Sequence, residues 1–126
     1  MRILLWVLQV LLALAFFAHG VMFLFPPASV IEQMNAALSR GPQVFIGVAE
    51  VLAAVGLTLP GITHIQPWLV PAAAAGLMIV TFSATIFHVA RTEMSSAITT
   101  AALCVLCAFV AYMRWKVLPI ARRTLA

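Results

Sequence analysis

ILLWVLQVLLALAFFAHGVMFLF, residues 3–25, carries no charge and is interrupted only by Gln9 and His19. A membrane-crossing helix needs roughly 20 such residues, so this run is long enough to span. Arg2 ahead of an apolar stretch also fits a secretory signal. The run exceeds the ~7–15-residue core of a signal, however, and no A-x-A-like site follows, which predicts an uncleaved first helix. Pro26-Pro27 then closes the span, because proline has no amide hydrogen to continue the ladder.

Three more apolar runs follow outward from the first, at about 42–59, 68–90 and 96–112. Residues 29–41 predict a short helix at the interface. Ser29-Val30-Ile31-Glu32 fits the S-x-x-E capping box, and Val30, Ile31, Met34 and Leu38 share one face. Gly41 is placed to stop that helix and Pro42 to begin the next, while Pro60-Gly61 is expected to break the second span. The fold class is therefore an all-α membrane protein, a four-helix bundle with an interfacial helix between the first two spans. It is read as one membrane unit over residues 1–126.

Composition excludes most alternatives. Of 126 residues, 65% are hydrophobic and 8% charged, whereas soluble domains run near a quarter charged. Four spans take up ~80 residues, which leaves no room for a separate soluble catalytic domain or nucleic-acid module. The net charge of +4 is explained by location. One side of the membrane receives Arg2, Arg114, Lys116, Arg122 and Arg123; the other receives Arg40 and Arg91. The excess predicts that both termini are cytoplasmic, in a bacterial inner membrane, with the basic side meeting anionic lipid and no nucleic-acid partner. Trp6, Trp68, Tyr112 and Trp115 fall near span ends on that same side, as interfacial aromatics do.

On this topology the polar residues converge in the outer half of the bundle. At ~1.5 Å per residue, His19 lies about 9 Å and Glu50 about 12 Å below the outer ends of their spans. His88 sits about one turn from the end of the third, followed by Arg91 and Glu93. A carboxylate at the depth of Glu50 costs several kcal/mol unless paired, hydrated or protonated, which makes it a functional candidate by default. Glu50, His19 and His88 are the candidate proton-handling groups, and with Arg91 and Glu93 they form the candidate ligand-binding set. The competing reading of each is a hydrogen bond that ties helices together. His88, Thr85 and Thr81 share one face and are expected to look inward.

No metal site is assigned. Cys104-x-x-Cys107 lies inside an apolar helix, where cysteine packs as a small hydrophobe, and reactive thiols need accessible, electropositive surroundings. Two histidines on separate helices admit a bis-histidine haem, but nothing else marks a porphyrin pocket. Small residues are expected to thin the contacts: Gly47, Ala49, Ala53, Ala54 and Gly56 on the second span, Ala72-x-x-x-Gly76 on the third.

With these elements in place, the chain resembles the DoxX-like family of small four-span membrane proteins from about Phe16 to Tyr112. Phe16-Phe17-Ala18-His19-Gly20, Gly47-Val48-Ala49-Glu50, and Phe87-His88 with Glu93 carry the resemblance. A lysine common in the family shortly after the Gly20 position is missing; Met22 and Phe23 stand there. Glu50 must then find another partner, with His19, His88 and Arg91 open. The resemblance implies two kinds of role: membrane subunits of thiosulfate-oxidising enzymes coupled to quinone, and assembly factors, including a chaperone of nicotinic acetylcholine receptors.

The first functional expectation is an accessory or redox-linked subunit associated with a quinone or other isoprenoid. The second is a noncatalytic assembly protein that docks partner membrane proteins or a second copy of itself. Transport of a proton or small hydrophobic molecule ranks third, since one four-helix unit is small for alternating access.

Overall fold

The computed structural model describes residues 1–123; residues 124–126, which the one-unit reading includes, lie outside the described residues. Four long apolar helices run Arg2–Leu24 (α1), Arg40–Thr63 (α3), Leu69–Ala90 (α4) and Met94–Tyr112 (α5), with the short α2, Ile31–Ala37, between the first two. A π-helical turn, Met113–Val117, extends α5. Each long helix reaches at least the ~30 Å of a bilayer core at ~1.5 Å per residue once that turn is added to α5.

Successive long helices are antiparallel neighbours: α1 packs on α3, α3 on α4, α4 on α5, and a lighter α1–α5 contact closes the ring. The buried positions explain this arrangement. Leu5, Gln9, Leu12, Phe16 and Gly20 line one face of α1; Gln43, Gly47, Glu50, Ala54, Leu57 and Gly61 line α3; Val70, Ala74, Leu77 and Thr81 line α4. Steps of three or four residues put one seam along each helix, the spacing of interdigitating bundle packing. Leu5, Leu12, Phe16, Leu57, Leu77, Cys107 and Val110 form the core, while Leu11, Phe45, Leu52, Phe82 and Val105 face outward.

Backbone approach is closest where α1 crosses α3. A Cβ added at Gly20 would lie 2.8 Å from the Gly47 carbonyl, and one at Gly47 would lie 2.9 Å from the Gly20 carbonyl. Within the α3–α4 contact, a Cβ added at Gly56 would lie 2.9 Å from the Ala73 Cβ. Gly76 differs from expectation: it is exposed, with nothing within 4 Å of an added Cβ. Ala72-x-x-x-Gly76 is thus not the packing face of α4, since the inward steps 70, 74, 77 and 81 rotate Gly76 out of the seam.

The connection around α2 also departs from its sequence expectation. Its N-cap is Val30, with no side-chain cap bond, so the Ser29–Glu32 box does not form; Pro27 O accepts from the Val30 and Ile31 amides instead. Gly41 does not stop α2, because the chain turns extended at Leu38 and Ser39 and α3 already begins at Arg40. The Gln43 side chain makes the glycine stop unnecessary. It is 1% exposed, and its Nε2 donates to Leu38 O at 2.6 Å and Asn35 Oδ1 at 3.1 Å. Arg40 reaches across to donate to Phe23 O (2.7 Å) and Leu24 O, capping the last carbonyls of α1 with a cation.

At the far end α3 continues through Pro60 and Gly61 to Thr63, and His64 takes the left-handed conformation (φ 57°) that ends it. A proline this close to a C-terminus removes one ladder bond and leaves the last turn intact. The C-terminal segment is fastened there: Arg123 N donates to His64 O at 2.6 Å, and His64 Nδ1 lies 2.7 Å from Ala121 O.

Candidate functional site

α1 and α3 meet at Gly20 and Gly47, and two of the candidate residues, His19 and Glu50, stand beside that crossing. His19 Nδ1 and Glu50 Oε2 are 2.6 Å apart, a short hydrogen bond between two spans. The two partners differ in environment. The Glu50 side chain is 4% exposed, whereas the His19 side chain is 45% exposed and its ring leans on Phe23 at 4.5 Å. With Nδ1 bonded to the carboxylate, Nε2 is the polar atom the ring has left to offer. A carboxylate behind an imidazole orients the ring, selects its tautomer and stabilises its cation. Of the three partners open to Glu50 on sequence grounds, His19 is the one it bonds.

His88, Arg91 and Glu93 gather separately, on the α4–α5 turn. Arg91 Nε donates to Glu93 Oε1 at 3.0 Å, and His88 Nδ1 lies 3.3 Å from the same oxygen. The hydrogen bond with His88, then that from Arg91, hold the Glu93 carboxyl below its ordinary value. Arg91 also sits 5.4 Å over the Phe87 ring, and Thr92 turns the chain with φ 57°. Among the described residues no hydrogen bond or ion pair joins this group to His19 or Glu50. The five candidates that the sequence singles out thus lie at one end of the bundle, in two sets. The inward threonine stripe joins the second helix pair: Thr81 is buried, and Thr85 Oγ1 donates to Thr100 Oγ1 at 2.9 Å.

Cys107 is fully buried in the core, and Cys104 Sγ faces Met78 O at 3.5 Å. Both are free thiols used in packing.

The opposite end holds a network that sequence reasoning missed. Gln9, fully buried, donates to Leu57 O at 2.8 Å, and its Oε1 accepts from Arg114 Nε at 2.6 Å. Arg114 is 5% exposed, stands 5.2 Å over the Trp6 ring, and donates through Nη1 to Leu118 O at 3.1 Å. Gly61 leaves room for Trp6, since a Cβ there would fall 2.6 Å from the indole. A lone glutamine in an apolar span was the available signal, because such a group needs a partner. Arg114 also continues the inner stripe of α5, four residues beyond Val110 and seven beyond Cys107. Its pairing with a residue 105 positions away was not legible.

Four long apolar helices around a largely apolar core define a small integral membrane protein in contact with the lipid bilayer. The chain belongs to the DoxX-like family, whose family model matches residues 7–110. That match includes His19, Glu50, His88, Arg91 and Glu93 and stops short of Arg114. No curated protein and no solved structure matches the chain.

Proposed function

We propose that this protein is an accessory, redox-linked membrane subunit whose His19–Glu50 pair binds, and exchanges a proton with, an oxygen of a quinone or similar isoprenoid. The single observation that carries this reading is the asymmetry of the pair: a carboxylate sealed between two spans, bonded to an imidazole that is half exposed on the outer wall of the bundle. A ligand dissolved in the bilayer approaches that wall without entering the core. His19 Nε2 then donates to, or accepts from, a carbonyl or hydroxyl oxygen within hydrogen-bond reach, while Glu50 stabilises the charged ring. Phe23 beside His19 offers an aromatic face for a planar head group. The charge distribution supports an inner-membrane location with both termini in the cytoplasm.

The test uses protein purified in a mild detergent, followed by an absorbance spectrum, solvent extraction and mass spectrometry of what accompanied it. A stoichiometric quinone or isoprenoid is expected, lost in Glu50→Gln and in His19→Ala variants that still melt cooperatively. Bulk lipid alone, unchanged by either substitution, overturns the reading. The pair would then serve to tie α1 to α3, and the assembly role, read by co-purifying membrane partners, would take its place.

A further inference from the structure

Among the described residues, Arg114 is a buried cation with no carboxylate beside it. The chain has three acidic residues: Glu32 on α2, Glu50 in the first half of α3 and Glu93 on the α4–α5 turn, all at the opposite end of the bundle. The same end of the bundle carries further cations, Arg2 at the start of α1, Lys116 on the π-helical turn, and Arg122 and Arg123 after it. The acceptors that Arg114 does have, Gln9 Oε1 and Leu118 O, are neutral, and its Nη2 has no partner among the described residues. A guanidinium taken out of water without a counter-charge is unfavourable, and an anion arriving from outside the chain would relieve it.

The structure provides a place for that anion. A cleft of about 330 Å³ opens between the start of α4 and the segment after α5, and both Arg114 and Arg122 line it. Gln66 adds an amide on the rim, where its Oε1 accepts from Trp68 Nε1 at 2.9 Å and holds that indole in place. Trp68 and Trp115, each more than half exposed, flank the opening. The other lining side chains are prolines and an isoleucine. Two guanidiniums in a wall of indole, proline and aliphatic carbon suit an amphiphile: an anionic head against the arginines, with glycerol and acyl carbon against the apolar wall. The paired indoles place the opening at the membrane–water boundary. A soluble anion would leave that wall unused.

We propose that this cleft binds the phosphate of an anionic phospholipid head group, with Arg122 making the exposed contact and Arg114 supplying the buried charge. The site is independent of the His19–Glu50 pair, which lies at the other end of the bundle.

The experiment is native mass spectrometry of the full chain in micelles doped equally with phosphatidylglycerol and phosphatidylcholine of the same acyl chains. One retained phosphatidylglycerol per chain is expected, at about tenfold or more over phosphatidylcholine, for two guanidiniums acting on one phosphate. Arg122→Gln, at an exposed position, should remove most of that preference without lowering the melting temperature. Arg114→Met alone strands Gln9, so the paired Gln9→Leu/Arg114→Met variant, which keeps the core apolar, tests the buried charge; it should fold and lose the preference. Equal retention of the two lipids overturns the proposal, as does a preference that survives both variants. Displacement of the lipid by millimolar inorganic phosphate also overturns it, by assigning the cleft to a soluble anion.

Discussion

Glu50 and Arg114 are ionisable side chains sealed into opposite ends of one bundle, and each is held by a polar residue from α1. Glu50 takes a histidine that is itself half exposed; Arg114 takes Gln9, which is wholly buried. The second arrangement is the costlier one to break halfway. Arg114→Met leaves Gln9 Oε1 buried without a donor and should destabilise the protein by about 1–3 kcal/mol, the cost of an unsatisfied buried acceptor. Replacing both partners, Gln9→Leu/Arg114→Met, should recover most of that loss, because an apolar pair of similar volume carries no desolvation cost. Unfolding by a denaturing detergent, compared across the two singles and the double, measures the difference. Equal losses in Arg114→Met and in the double would show that the two residues are not coupled.

At the scale of elements, the α1–α3 crossing determines whether His19 can reach Glu50 at all. The backbones meet at Gly20 and Gly47, where either added methyl would press on the other helix's carbonyl. Gly47→Ala should therefore force the helices apart, destabilise the bundle by about 1–3 kcal/mol as overpacking does, and lengthen the 2.6 Å contact. Gly76→Ala is the matched control. It faces open space, so the gain in helix propensity, up to about 1 kcal/mol, is all that remains. Thermal melts of the two variants in one detergent should shift in opposite directions. Sequence alone ranked both glycines as packing residues, since a small-x-x-x-small pattern does not say which side of a helix meets its neighbour. The capping box at Ser29–Glu32 failed for a similar reason: the local pattern was sound, but Pro27 O and Gln43 met the same backbone needs from outside it.

For the whole molecule, the distribution of Lys and Arg remains the argument for orientation. Five of the seven stand at the end that carries both termini. Fusion of a fluorescent reporter that matures only in the cytoplasm should give signal at either terminus, and an alkaline phosphatase fusion at the C-terminus should stay inactive. An active phosphatase would invert the topology and put His19 and Glu50 in the cytoplasmic half. The bundle is also polarised chemically. One end holds all three acidic residues with His19, His88 and Arg91; the other holds Arg114 and most of the cations. The proposed proton-handling pair at one end and the proposed anion-binding cleft at the other are separable by mutation for that reason.

The residues 3–25 and the three apolar runs after them determined by themselves that this chain crosses a membrane with four helices. Length and hydrophobicity act locally, and no distant contact is needed to read them. The same local logic singled out Glu50, His19, His88, Arg91 and Glu93, because a polar group inside or beside an apolar span is conspicuous wherever it falls. Which of them meet was decided only by tertiary structure. Glu50 bonds His19 because two glycines let α1 and α3 touch, and His88 goes to Glu93 because a tight turn brings that carboxylate back to it. Arg114 shows the limit most clearly. In the chain it reads as one more basic residue flanking a span, and it becomes a buried charge only when α5 lays it against a glutamine from the other end of the sequence.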